Sequence, residues 1–140
     1  MAPQAGAAGP GGTDPVSTVY IVEDEQTVRR ALERLLTSAG LSVRAFQGVE
    51  EFMRAEIETR DACVLADIDL GGSTALGLPA QLKQAGKALP VIFVTAWDSS
   101  EIREKVRLAG GAGYFRKPVD DQALIDAIEW AIAGAGRTLN

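Results

Sequence analysis

The stretch that decides the fold is ACVLADIDLGG, residues 62–72. Five small or apolar residues lead to Asp67, and two glycines follow shortly after it. This pattern is typical of a buried strand that ends in a turn. Ligands bind at the carboxyl ends of the strands in a parallel α/β sheet, so this strand would present the Asp67 carboxylate to a ligand. Taken alone, the pattern more often marks a strand that ends in a solvated acid.

Strand-like and helix-like segments alternate on both sides of this stretch. The predicted strands are 16–22, 41–46, 62–67, 90–95 and 113–116. The predicted helices are one that ends at Gly40, then 49–57, 76–85 and 101–109, and a last one that ends near Gly134. Strict alternation predicts a parallel sheet covered by helices on both faces through right-handed crossovers. We therefore expect an α/β fold with a doubly wound, five-stranded, flavodoxin-like sheet of order 2-1-3-4-5 and five helices.

Local signals refine the ends of the chain and of two helices. Residues 98–101, DSSE, have the spacing of a capping box, and Val119 and Leu124 have that of a hydrophobic staple around an Asp120 cap. Ala, Gly and Pro occupy eleven of the first fifteen positions, which cannot bury enough apolar surface to order themselves. The sequence predicts a disordered leader at 1–15, a folded domain at 16–134 and a short tail at 135–140.

Composition excludes several classes of function. The net charge of −5 argues against direct binding to nucleic acid, since there is no basic excess to neutralise phosphates. No apolar run approaches the ~18 residues that a membrane helix needs, and no signal peptide is visible, so we expect a cytoplasmic protein. The chain has no histidine and one cysteine, Cys63, which excludes histidine-based zinc sites and Ser-His or Cys-His nucleophile pairs.

Charged and hydroxyl groups follow four of the predicted strands. They are Glu23 and Asp24 after the first, Asp67 and Asp69 at the third, Thr95 at the fourth and Lys117 after the fifth. Carboxylates gathered at one sheet edge repel one another unless a cation offsets their charge, and oxygen ligands alone suit Mg²⁺ or Mn²⁺. Attack by Asp67 on a phosphoryl group needs mainly positioning and charge stabilisation, which a lysine and a hydroxyl can supply.

This combination resembles the receiver domain of bacterial two-component response regulators over residues 18–133. The family's motif residues match an acidic pair, a phospho-accepting aspartate, a switch hydroxyl, an aromatic and a lysine, here Glu23, Asp24, Asp67, Thr95, Tyr114 and Lys117. Three features depart from the family pattern. The first acid is Glu23 where the family has Asp, a modest change for a ligand that acts through water. The loop after Asp67 is two residues longer and contains Gly71 to Gly77, and Trp97 is bulky where water must approach.

The resemblance implies a phosphorelay switch. Asp67 would accept a phosphoryl group from the phosphohistidine of a sensor histidine kinase or phosphotransfer protein. Asp24, Asp67 and the carbonyl of Asp69 would bind Mg²⁺, with Glu23 acting through water. Lys117 and Thr95 would bind the phosphoryl group, and Thr95 and Tyr114 would then alter the surface of the fourth helix, fifth strand and fifth helix for a downstream protein target. Hydrolysis by water would reset the domain, which would not be a turnover enzyme.

Two other functions compete with this one. Asp67, Thr95, Lys117 and the acids at 120 and 121 also resemble the catalytic groups of haloacid-dehalogenase-type, Mg²⁺-dependent phosphatases. In that family the nucleophile strand lies near the start of the catalytic core, and the 73 residues after Asp67 are too few to complete one. The third possibility is a receiver-like module that binds partners without being phosphorylated, although all the chemical groups are present.

Overall fold

A computed structural model describes residues 16–137 of the chain. Within them, five parallel strands form one sheet of order β2-β1-β3-β4-β5: β1 (Thr18–Val22), β2 (Ser42–Phe46), β3 (Ala62–Asp67), β4 (Val91–Thr95) and β5 (Gly113–Arg116). The helices between and after them are α1 (Gln26–Ser38), α2 (Val49–Arg54), α3 (Leu78–Gln84), α4 (Ser100–Ala109) and α5 (Asp121–Arg137). The predicted fold class and strand order are confirmed. The predicted leader and residues 138–140 of the predicted tail lie outside the described residues.

Each face of the sheet packs against its own layer of helices. Because alternate residues of a strand point to opposite faces, Cys63 and Leu65 of β3 contact the α1 and α5 side, whereas Val64 and Ala66 contact the α2, α3 and α4 side. All six residues of β3 are buried, which explains its uninterrupted apolar sequence. Burial raises the pKa of the Cys63 thiol to about 12, consistent with a small core residue.

The second and third helices are shorter than their sequences predict. Helix α2 ends at Arg54 instead of position 57, and Ala55 has an extended backbone. The hydroxyl of buried Tyr20 accepts a 2.7 Å hydrogen bond from the Glu58 N–H and donates to the Glu58 carbonyl oxygen at 3.2 Å. These bonds satisfy backbone groups outside a helix, so the segment after Arg54 packs as extended chain. Helix α3 begins at Leu78 instead of position 76, with Pro79 in its first turn.

The last two helices differ from prediction at single points. Ser99, not Asp98, caps α4, because its hydroxyl oxygen accepts a hydrogen bond from the Ile102 N–H at 3.1 Å. Asp120 caps α5 as predicted and accepts from the Ala123 N–H at 2.9 Å. Helix α5 continues past Gly134 to Arg137. A glycine inside a helix costs only about 1 kcal/mol relative to alanine, and the alanines around it favour the helix. None of the helices in residues 16–137 is both long and apolar enough to cross a membrane.

Candidate functional site

The parallel register brings three predicted acids together at the carboxyl edge of the sheet. Val22 of β1 pairs with Ala66 of β3, so the residues that follow them, Glu23 and Asp67, are neighbours. Glu23, Asp24 and Asp67 each offer one carboxylate oxygen, and these oxygens lie within 4.8 Å of one another. Glu23 and Asp67 are only 3 % and 8 % exposed, whereas Asp24 lies at the surface. The cluster therefore has a buried floor and an open rim.

Lys117 enters this cluster from the residue after β5. Its Nζ lies 2.7 Å from Asp67 Oδ2 and 3.5 Å from Glu23 Oε1. The Lys117 N–H also donates to the Thr95 carbonyl oxygen at 2.8 Å, which fixes the lysine backbone to the end of β4. The structure thus brings together Glu23, Asp24, Asp67 and Lys117, four of the residues that the sequence predicts for the site.

The charges of the cluster do not balance. Burial, with a smaller contribution from the Asp67 charge, raises the pKa of the Glu23 carboxyl to about 7, against the lowering effects of a hydrogen bond from the Glu25 N–H and of Lys117. Partial burial alone would lower the pKa of Lys117, but its hydrogen bond to Asp67 and the Glu23 charge raise it. Three carboxylates around one ammonium leave an excess of negative charge. A divalent cation with oxygen ligands fits this set of groups.

Asp69 lies beside the cluster on a short hairpin. Its N–H donates to Asp67 Oδ1 at 3.0 Å, so its backbone orients the predicted phosphoryl acceptor. Asp69 pairs with Thr74 as an antiparallel bridge, and the Leu70 N–H donates to the Ser73 carbonyl oxygen at 3.0 Å. The residues of the longer loop therefore form a hairpin whose turn consists of two residues, Gly71 and Gly72. Two adjacent glycines between short flanking segments are a recognised sequence signal for such a hairpin.

Thr95 is buried at 2 % exposure, and its hydroxyl is bonded to the backbone of the loop that follows it. Its Oγ1 accepts a hydrogen bond from the Trp97 N–H at 3.0 Å and donates to the Trp97 carbonyl oxygen at 3.4 Å. The hydroxyl is therefore engaged by its own loop. Its predicted movement towards a phosphoryl group stays a prediction.

Tyr114 contacts a residue that sequence reasoning assigned to a different role. Its hydroxyl donates to Asp98 Oδ1 at 2.8 Å, and Arg103 donates to both oxygens of the same carboxylate at 2.9 and 2.6 Å. The Arg103 hydrogen bonds, with help from Tyr114, hold the pKa of Asp98 at about 2. Burial and the bond to Asp98 raise the pKa of Tyr114. Asp98 is thus a partner of the predicted switch aromatic, and no local sequence signal marks a contact 16 residues apart.

Two depressions meet at the cluster. An acidic one of about 360 Å³ is lined by the acids, Gly71 and Trp97, whose side chain is 72 % exposed at its rim. An apolar one of about 400 Å³ lies between residues of α1 and α5 and reaches Glu23, Asp67 and Lys117 from the other side. The predicted phosphoryl acceptor is therefore accessible from the surface although most of its area is buried.

A doubly wound sheet with acids and a lysine at its carboxyl edge defines a receiver-type signalling domain. Residues 19–129 match the family model described as the response regulator receiver domain. The chain belongs to this family, and it is a receiver domain of the two-component response regulators. The comparison gives no support to a dehalogenase-type phosphatase.

Similar proteins and structures agree with this assignment. The chain is 34 % identical over 121 residues to the transcriptional regulatory protein TdiR of Thauera aromatica, covering 86 % of this chain and 53 % of TdiR. It is 33 % identical over 114 residues to the DNA-binding transcriptional regulator NtrC of Klebsiella pneumoniae, covering 81 % of this chain and 24 % of NtrC. It spans about half the length of TdiR and similar curated relatives.

Solved structures show the same fold. The response regulator StyR superposes with a TM-score of 0.77 at 31 % identity, covering 88 % of this chain and 63 % of StyR. FixJ-N superposes with a TM-score of 0.77 at 28 % identity, covering 86 % of this chain and 96 % of FixJ-N.

Proposed function

We propose that Asp67 is the phosphoryl acceptor of a phosphorylation-activated switch. The observation that carries this proposal is the contact of Lys117 Nζ with Asp67 Oδ2 at 2.7 Å, beside two further acids. A lysine at this place would neutralise a phosphoryl oxygen once the group is attached. The N–H of Asp69 holds the other oxygen, Oδ1, so one carboxylate is oriented from both sides.

Asp24 and Asp67 would hold a Mg²⁺ or Mn²⁺ ion directly, together with the carbonyl oxygen of Asp69, and Glu23 would bind it through water. The three carboxylates, whose oxygens lie within 4.8 Å of one another beside a single ammonium, support this assignment. When bound, such an ion shields the charge that otherwise repels an anionic phosphodonor. The buried position of Glu23 suits a residue that acts from beneath the ion, whereas Asp24 reaches it from the surface.

The donor would be a phosphohistidine on a sensor histidine kinase or phosphotransfer protein in the cytoplasm. An Asp67 oxygen attacks phosphorus and forms a P–O bond, while the P–N bond breaks and its electron pair stays on the imidazole of the donor. Water later attacks the same phosphorus, the bond from phosphorus to the Asp67 oxygen breaks, and inorganic phosphate leaves as the carboxylate is restored. One domain therefore gains and loses one phosphoryl group per cycle, which makes it a switch that also removes its own phosphoryl group.

The response would pass through the loop after β4. Thr95 would release the backbone of Trp97 and bind a phosphoryl oxygen, and Tyr114 would leave Asp98 and turn inward. This would change the surface formed by α4, β5 and α5, which a downstream protein target would recognise. TdiR and NtrC are transcriptional regulators by name. The net charge of −5 supports a protein target, and not nucleic acid, for this domain.

Intact-mass measurement after incubation with Mg²⁺ and acetyl phosphate tests the proposal. The wild type should gain one phosphoryl group transiently, and Asp67→Asn should gain none. Asp69→Asn is the matched control, because its proposed contribution is a backbone carbonyl, and it should still be labelled. Labelling of Asp67→Asn to the wild-type level would refute the assignment.

Two further observations separate the competing functions. Continuous turnover of a phosphate monoester would favour the phosphatase. Amide spectra that stay unchanged on addition of Mg²⁺ and beryllofluoride would favour a module that is never phosphorylated.

A further inference from the structure

Gly71 stands against the acid at the rim of the site. A Cβ atom added to this residue would lie 2.9 Å from Asp24 Oδ2, closer than real Cβ contacts come. Its φ is +58°, in the left-handed region that favours glycine. The neighbouring Gly72 has a φ of +97°, and a Cβ there would meet nothing within 4 Å. Both glycines thus have a positive φ that would strain a residue with a side chain, but they differ in their surroundings.

The hairpin cannot easily move Gly71 away from Asp24. Its ends are tied by the Leu70 N–H to the Ser73 carbonyl oxygen at 3.0 Å and by the Ala75 N–H to the Ile68 carbonyl oxygen at 3.0 Å. Ile68 and Leu70 are themselves buried, which anchors the hairpin in the core. The Asp24 carboxylate is on a short, exposed side chain. If the space at Gly71 were filled, the carboxylate would be the group that moves.

We propose that Gly71 is a positioning residue for the cation site. The missing side chain leaves the space in which Asp24 holds its carboxylate towards Asp67 and Glu23. The longer loop after β3 therefore contributes to the proposed cation site, because its turn determines the position of the Asp24 carboxylate, which follows β1. This inference rests on the proposed function, in which Asp24 is a ligand of Mg²⁺.

Calorimetric titration with MgCl₂ tests this role without any phosphoryl transfer. Gly71→Ala should weaken Mg²⁺ binding about tenfold, the scale at which misplacing a ligand acts on metal affinity. Gly72→Ala is the matched control, because its positive φ also disfavours a side chain but the added Cβ would meet nothing within 4 Å, and it should bind Mg²⁺ as the wild type does. Thermal unfolding of both variants shows whether the strain they introduce is equal.

A double-mutant cycle separates displacement of Asp24 from a general distortion of the loop. In an Asp24→Asn background, Gly71→Ala should cause no further loss of Mg²⁺ affinity, because the two changes act on one side chain. An equal loss in Gly72→Ala, a full additional loss in the Asp24→Asn background, or wild-type affinity in Gly71→Ala would overturn the inference. If the wild type itself took up no Mg²⁺, the proposed cation site would fall as well. Wild-type binding matched by Gly71→Ala would overturn the role of Gly71 alone.

Discussion

The loops after β3 and β4 begin at neighbouring strand ends but are held in different ways. The β3–α3 loop is closed by backbone hydrogen bonds of its own hairpin, and its Asp69 N–H binds the Asp67 carboxylate. The β4–α4 loop depends on side chains, with the Thr95 hydroxyl on Trp97 and the Asp98 carboxylate between Arg103 and Tyr114. Backbone bonds do not depend on side-chain rotamers, whereas side-chain bonds can be exchanged for other partners. The first loop is therefore suited to hold the proposed site, and the second is suited to the proposed response.

The largest effect should come from removing a charged ligand beside the fixed loop. We expect Asp24→Asn to weaken Mg²⁺ binding at least about tenfold, roughly 1.4 kcal/mol, because a neutral amide replaces a negatively charged carboxylate beside the cation. Thr95→Val, at the start of the β4–α4 loop, should leave the affinity for Mg²⁺ near that of the wild type, since the Thr95 hydroxyl bonds to Trp97. Calorimetric titration measures both. Equal losses in the two variants would contradict the division between the loops.

A second comparison contrasts the β3–α3 loop with the turn between α4 and β5. Gly111 follows α4, and a Cβ there would lie 2.7 Å from Val106 Cγ1 and 3.0 Å from Phe93 Cδ2. We expect Gly111→Ala to lower the free energy of unfolding by about 1 kcal/mol through overpacking. Gly77, which precedes α3, has an ordinary φ of −79° and open space, so Gly77→Ala should be nearly neutral. Urea unfolding measures both, and a larger loss at Gly77 would reverse the expectation.

The exposed Trp97 side chain of the β4–α4 loop should affect the lifetime of the phosphorylated form. Trp97 lines the acidic depression, through which water would approach Asp67 in the proposed phosphorylated form. We expect Trp97→Ala to shorten the lifetime of the phosphorylated form several-fold, because the indole restricts that approach. Trp130→Ala on α5 is the control and should leave the lifetime unchanged. The lifetime is measured by following the intact mass of the phosphorylated form after acetyl phosphate is removed. An unaltered lifetime in Trp97→Ala would contradict this role of the indole.

The smallest effect is a change in titration at Asp98. Its pKa of about 2 depends first on Arg103 and then on Tyr114, so Arg103→Gln should raise it towards the ordinary value of 3.8. A depressed pKa means that the pairing stabilises the fold fully above 3.8 and is lost as pH falls through 2. The carboxyl carbon shift of Asp98 in NMR follows the titration. Arg107→Gln is the control: it removes a partner of Glu104 and should leave the pKa of Asp98 unchanged.

Sequence reasoning reached the fold and the principal charged groups because both depend on periodic or local signals. Alternating strand and helix segments predicted a parallel sheet, for which the flavodoxin-like order was expected and is observed, and parallel strands bring their carboxyl ends to one edge. Glu23, Asp67 and Lys117 could therefore be placed together before any coordinates.

The remaining features depend on contacts between distant residues. Helix α2 ends early because Tyr20 binds the backbone of Glu58, 38 residues away, and nothing near Arg54 in the sequence signals this. The DSSE spacing suggested that Asp98 caps α4, yet the neighbouring Ser99 takes that place and frees the carboxylate for Tyr114. The closeness of Gly71 to Asp24 likewise follows from tertiary structure alone.

The position of Trp97 also equips this domain with an optical reporter. Its indole borders the depression that contains Asp24, Asp67 and Asp69, whereas Trp130, the second tryptophan of the chain, belongs to α5. Ions or phosphoryl groups that enter the depression change the electric field around this one fluorophore. Emission from a Trp130→Phe variant should therefore follow occupancy in real time, so that binding and decay can be timed in solution without a label.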